Sequence, residues 1–107
     1  MRQDIKFFLS EYAAKFNQLK INVHSLILFG SQARGEASVS SDIDIAVVMD
    51  KKLSPLQRGQ LLSLGDEIDI RYKVNLFFTN CEAVAQASSV FDTNKYIREE
   101  GIVLWQS

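Results

Sequence analysis

Apolar residues Ile5, Phe8, Leu9, Tyr12, Phe16 and Leu19 recur three or four positions apart, with charged residues between them. That spacing places them on one face of a helix, and Asp4 stands where an N-cap is wanted. Ser25–Phe29 (SLILF) is a short, unbroken apolar run ending at Gly30, the pattern of a buried strand. Asp42–Met49 (DIDIAVVM) opens in strict alternation and then turns apolar, which predicts a second strand. Ser54-Pro55 joins a capping serine to a first-turn proline, and Leu61, Leu64 and Ile68 follow on one side of the helix they start. Lys73–Thr79 (KVNLFFT) reads as a third strand. Thr79 and Glu82 have capping-box spacing for a brief helix, and Asp92 or Thr93 opens another that stops at Gly101. The order predicts an α/β fold, a small mixed sheet with helices packed mainly on one face.

Between the first two strands lies GSQARGEASVSSDID, residues 30 to 44. Gly30 and Gly35 have the spacing of the phosphate loop of nucleotide hydrolases, but Glu36 and Ala37 stand where that loop needs Lys and a hydroxyl residue. A glutamate there would repel phosphate, so that reading fails. Side chains alternate along a strand, so Asp42 and Asp44 project together while Ile43 and Ile45 face the other way. Two carboxylates this close repel each other unless a proton or a cation intervenes. Oxygen ligands of this kind suit a hard cation, Mg²⁺, bound together with substrate phosphates. Gly30 lets the chain turn tightly beside a ligand, and Ser31 is expected to cap a short helix and offer donors to a phosphate. Turn and carboxylates then form two halves of one nucleotide–metal site.

A chain of 107 residues is expected to form one domain over 1–107. Its formal charge of −1 advertises no basic face, so no direct contact with nucleic acid is expected. No apolar run approaches the roughly 20 residues of a membrane span, and MRQDIKFFLSEY lacks the features of a secretion signal. The single cysteine, Cys81, can form no internal disulfide, which suits a reducing cytoplasm. It reads as a small, partly buried side chain. His24 and Trp105 stand without constellations, as a polar residue at a strand entry and a packed aromatic.

In these residues the chain resembles the minimal nucleotidyltransferase (MNT) proteins, small members of the DNA polymerase β-like nucleotidyltransferase superfamily. The family motif is Gly-Ser, ten residues, then Asp-x-Asp, matched by Gly30-Ser31, positions 32 to 41, and Asp42-Ile43-Asp44. The extended form Gly-Ser-x-Ala-Arg-Gly is matched by Gly30, Ser31, Ala33, Arg34 and Gly35. The closing REEGIVL (Arg98–Leu104) and the order of elements also look like the family. The resemblance implies that Gly30 and Ser31 hold the triphosphate of ATP and that Asp42 and Asp44 bind Mg²⁺ and carry catalysis. Arg34 either steadies phosphate charge or is an exposed arginine pairing with Glu36. A third carboxylate is common on the third strand of such proteins, in a Val-Asp-Leu context. Here that run is Val74-Asn75-Leu76, and an amide neither acts as a base nor adds charge. Asp69 would substitute if the third strand began at Glu67.

The resemblance further implies a partner. Small MNT proteins pair with HEPN proteins, helical RNases, in toxin–antitoxin systems. The expected function is an antitoxin that transfers AMP from ATP to a HEPN toxin, within a hetero-oligomer. The alternative is a nucleotidyltransferase-fold binding module that neutralises its partner by direct contact. Asn75 favours the module, and the intact Gly-Ser and Asp-x-Asp favour the enzyme. An adenylyltransferase acting on a small molecule such as an aminoglycoside is weakened by the missing acceptor-binding domain.

Overall fold

The structure, a computed structural model, describes residues 3–19, 21–35, 43–68 and 74–106. The elements in chain order are α1 (Gln3–Gln18), β1 (Val23–Phe29), α2 (Ser31–Arg34), β2 (Ile43–Met49), α3 (Pro55–Ile68), β3 (Val74–Asn80), α4 (Cys81–Gln86), α5 (Thr93–Glu100) and β4 (Ile102–Gln106). The four strands form one mixed sheet in the order β3-β2-β1-β4. β1 is antiparallel to β2 and β4, whereas β2 and β3 run parallel and need the crossover that α3 supplies. The expected mixed sheet is therefore present, with one strand more than the apolar pattern predicts. β4 follows Gly101, where α5 was expected to end the regular structure.

Most of the core lies on one face, as expected. Phe8, Leu9, Tyr12 and Phe16 of α1 and Leu61 of α3 pack on Leu26, Leu28, Ile43, Ile45, Val47 and Met49. A smaller cluster covers the reverse face, where Ala46, Val48 and Ile97 meet Ile27, Phe29, Phe77 and Val84. Ile43, Ile45 and Val47 thus face α1 while Ala46 and Val48 face α5, as the two-residue period requires. β1 breaks this period with a bulge between Val23 and Ser25, and Val23 and Leu26 share one face because of it.

Local signals explain most of the helix ends. Ser54 Oγ accepts the N–H of Gln57 at 3.2 Å, and Gln57 Oε1 accepts the N–H of Ser54 at 3.3 Å, a reciprocal capping box. Asp92 caps α5 by accepting from the Asn94 N–H at 2.9 Å. Two caps differ from expectation. Asn80, not Thr79, caps α4, accepting the Ala83 N–H at 2.8 Å, while the Thr79 hydroxyl hydrogen-bonds to Asn94. α1 already runs from Gln3, so Asp4 lies within its first turn rather than at its cap. The ends of α4 and α5 are joined by Arg98, whose Nη1 donates to the carbonyls of Val84 and Ala85 at 2.9 and 3.0 Å. No helix among the described residues is long and apolar enough to cross a membrane.

Tyr12 joins α1 to α3 through a buried hydrogen bond from its hydroxyl to the Leu61 carbonyl at 3.0 Å. Desolvation pushes its ionisation well above the ordinary value of 10.0, so the folded state holds it neutral. The unfolded chain ionises Tyr12 first, so its contribution is intact below pH 10 and is lost as pH rises beyond that. Tyr12→Phe should lower stability by about 1 kcal/mol at neutral pH. It should also flatten the alkaline fall in urea midpoint. An unchanged alkaline limb would place the titrating group elsewhere.

Candidate active site

Three neighbouring strands bring their residues into one row. Phe29 of β1 pairs with Asp44 of β2, and Asp44 pairs with Asn75 of β3. Asp44 is half-buried, with Ile43 and Ile45 fully buried on the opposite face, which is the alternation expected of it. Its Oδ1 accepts a hydrogen bond from the Asn75 amide at 3.3 Å. Its Oδ2 lies over Gly30, so close that a Cβ built on Gly30 would sit 2.5 Å from it. Gly30 holds φ 73° and ψ −154°, a region that side-chain-bearing residues essentially do not enter. Glycine is required there twice over, by the backbone angle and by the carboxylate.

Beyond Gly30 the chain makes the short helix α2, whose N-cap is Gly30 itself. This corrects the expectation for Ser31, which is the first helical residue rather than the cap. Gly35 ends the turn in the left-handed region at φ 72°. Arg34 does not wait free for a ligand: its Nη1 pairs with Glu100 Oε2 of α5 at 3.4 Å, both groups partly exposed. Glu36, offered as its partner, lies outside the described residues, as do Asp42 and Asp69. A third strand beginning at Glu67 is ruled out, because α3 continues through Ile68. Of the third-position residues, Asn75 is the one the structure places beside Asp44.

The donors suit a hard cation. A half-buried carboxylate and a side-chain amide whose oxygen and nitrogen exchange by a flip offer oxygen ligands, and no sulfur or imidazole lies in this row. His24 and Cys81 are elsewhere. His24, read from sequence as standing without a constellation, and Cys81, read as a small, partly buried side chain, meet Asp50 at the opposite end of the strands. Trp105 is the packed aromatic expected, edge-on to Phe16 with ring centroids 5.0 Å apart.

The polymerase beta nucleotidyltransferase family model matches residues 9–101, from within α1 to the end of α5. The chain belongs to the polymerase β-like nucleotidyltransferase family. A search of curated protein sequences finds no match. Among solved structures, a candidate nucleotidyltransferase from Sulfolobus solfataricus has the same fold, with TM-score 0.60 and 23% identity over 92% of this chain and 74% of that one. A toxin–antitoxin complex with AMP-PNP matches at TM-score 0.56 and 28% identity, over 90% of this chain and 72% of that one. The MNT antitoxin complex with a tri-AMPylated HEPN toxin from Shewanella oneidensis is similar in fold, with TM-score 0.50 and 23% identity over 94% and 73% of the two chains.

Proposed function

We propose that this nucleotidyltransferase is a Mg²⁺-dependent antitoxin enzyme that transfers AMP from ATP to a side chain of a HEPN toxin. The observation that carries this reading is the convergence of Gly30, Asp44 and Asn75 at one end of adjacent strands, beside the turn that opens α2. In the proposed reaction an acceptor oxygen joins the α-phosphorus of ATP and pyrophosphate leaves. Gly30 and Ser31 hold the triphosphate, and Asp42 and Asp44 hold Mg²⁺ with Asn75 at the third position. The cation supplies charge that offsets the phosphates and steadies the leaving group. Arg34, already tied to Glu100, anchors the turn to α5. Support for the partner comes from the 28%-identical neighbour, a toxin–antitoxin complex that holds an ATP analogue. In the Shewanella complex, the toxin is the AMPylated member.

Calorimetry tests the site. Mg²⁺ should strengthen ATP binding at least tenfold, and Asp42→Asn/Asp44→Asn should abolish that gain. Equal Mg²⁺ dependence in the double variant would sink the assignment.

Asn75 favours a second reading, a binding module with weak catalysis, because an amide adds no charge to the metal site. The two readings separate at Asn75→Asp. The added carboxylate should raise AMP transfer if Asn75 occupies the third metal position of an enzyme. Unchanged transfer with full protection of cells would favour the module.

A further inference from the structure

We propose that His24, Asp50 and Cys81 form a binding site for a zinc-class divalent cation, separate from the nucleotide site. His24 lies in β1, Asp50 directly follows β2, and Cys81 opens α4 directly after β3. Val23 pairs with Met49, and Met49 with Asn80, so His24, in the bulge beside Val23, lies at the end of the sheet where Asp50 and Cys81 directly follow their strands. One ligand atom from each of the three lies within 4.8 Å of the other two. Ligand atoms of a tetrahedral zinc site stand about 3.5 Å apart, given Zn–S near 2.3 Å and Zn–N near 2.0 Å. The three ligand atoms would have to draw together by about an ångström around a bound ion.

The donor chemistry selects the metal. One imidazole nitrogen, one thiolate and one carboxylate suit zinc, whereas Mg²⁺ takes oxygen ligands and holds its waters. Three protein ligands leave a fourth position for water or another donor.

His24 also carries a supporting contact. Its Nδ1 lies 3.1 Å from the hydroxyl of Ser25, which is only 3% exposed. A ring nitrogen engaged by a buried hydroxyl orients the imidazole and leaves Nε2 for a metal, the role a second partner plays for a ligating histidine. The β1 bulge falls at this residue, and bulges commonly re-aim side chains next to sites. Cys81 is half-buried, and a cation bound to its thiolate would displace the thiol proton and offset the charge of Asp50.

Asp44 and Asp50 lie at opposite ends of β2, about 20 Å apart at ~3.3 Å per residue. The two sites therefore lie at opposite ends of the sheet and share no ligand. Zinc at the second would bind β1, β2 and the start of α4 into one unit and stabilise only the folded chain.

Cobalt(II) titration of the purified, metal-free full chain tests the site, since tetrahedral cobalt–thiolate centres absorb in the near ultraviolet. One equivalent should be taken up with a charge-transfer band, zinc should displace it, and excess Mg²⁺ should not. Cys81→Ser should abolish the band, and His24→Gln and Asp50→Asn should each weaken zinc binding at least tenfold. Ser25→Ala should weaken it by about tenfold, as loss of an orienting partner does. Asp44→Asn should leave uptake unchanged, so failure here is distinct from failure at the nucleotide site. Circular dichroism identifies any variant that does not fold, and His24→Gln carries the test if Cys81→Ser is one. No thiolate band from folded wild type, or zinc uptake unchanged in His24→Gln, would overturn the proposal.

Discussion

Asp44→Ala is expected to lower AMP transfer to the partner by several powers of ten and to leave the fold standing. The two effects have different causes. Among the described residues, the Asp44 carboxylate accepts a hydrogen bond from the exposed Asn75 amide, which water can replace. Stability should therefore change by no more than about 1 kcal/mol. In the proposed reaction, catalysis loses a charge that would hold the metal, and every ~1.4 kcal/mol of barrier is tenfold in rate. The readout is the mass of the toxin after incubation with the antitoxin, ATP and Mg²⁺. Wild type should add one or more AMP units, and Asp44→Ala none within the same time. Full protection of cells by Asp44→Ala would instead assign neutralisation to contact alone.

Gly30→Ala should cost both stability and transfer. The backbone at φ 73° and ψ −154° penalises any side chain by roughly 1–3 kcal/mol. The new methyl group must also displace the Asp44 carboxylate, whose Oδ2 would lie 2.5 Å away. Shifting a catalytic group by about 1 Å can cost ~10²-fold in rate. Gly35→Ala separates the two terms. Gly35 also has positive φ, at 72°, but its added Cβ would meet nothing within 4 Å. It should show strain in its melting temperature with transfer nearly intact. Equal losses of transfer in both variants would show that displacement of Asp44 is not the cause.

Buried elements were the most readable in the sequence. β1 and β2 are flanked by other strands and packed on both faces, so selection for apolar residues leaves runs that admit one interpretation. β4 lies at the sheet edge with Ile102 and Val103 half-exposed, and five residues after a helix-ending glycine resemble a tail. Its β-branched and aromatic content was the available signal. The Thr79 cap failed because two capping residues are adjacent and tertiary structure uses the threonine hydroxyl for Asn94. The closeness of Gly30 to Asp44 was legible because both belong to one contiguous motif. His24, Asp50 and Cys81 were not, because only strand register brings three separate chain segments together.

The edge position of β4 has a consequence for synthesis and refolding. Its partner β1 is made early, yet Ser25 pairs with Gln106 and Leu26 with Trp105, residues that follow every other element. The sheet can be completed only after those residues have left the ribosome, and β1 keeps an open flank until then. Trp105 is the chain's single tryptophan, and in the folded protein it stands against Phe16 of α1. Its fluorescence therefore reports the docking of this last strand, and a stopped-flow trace would time the closing of the sheet separately from the formation of its helices.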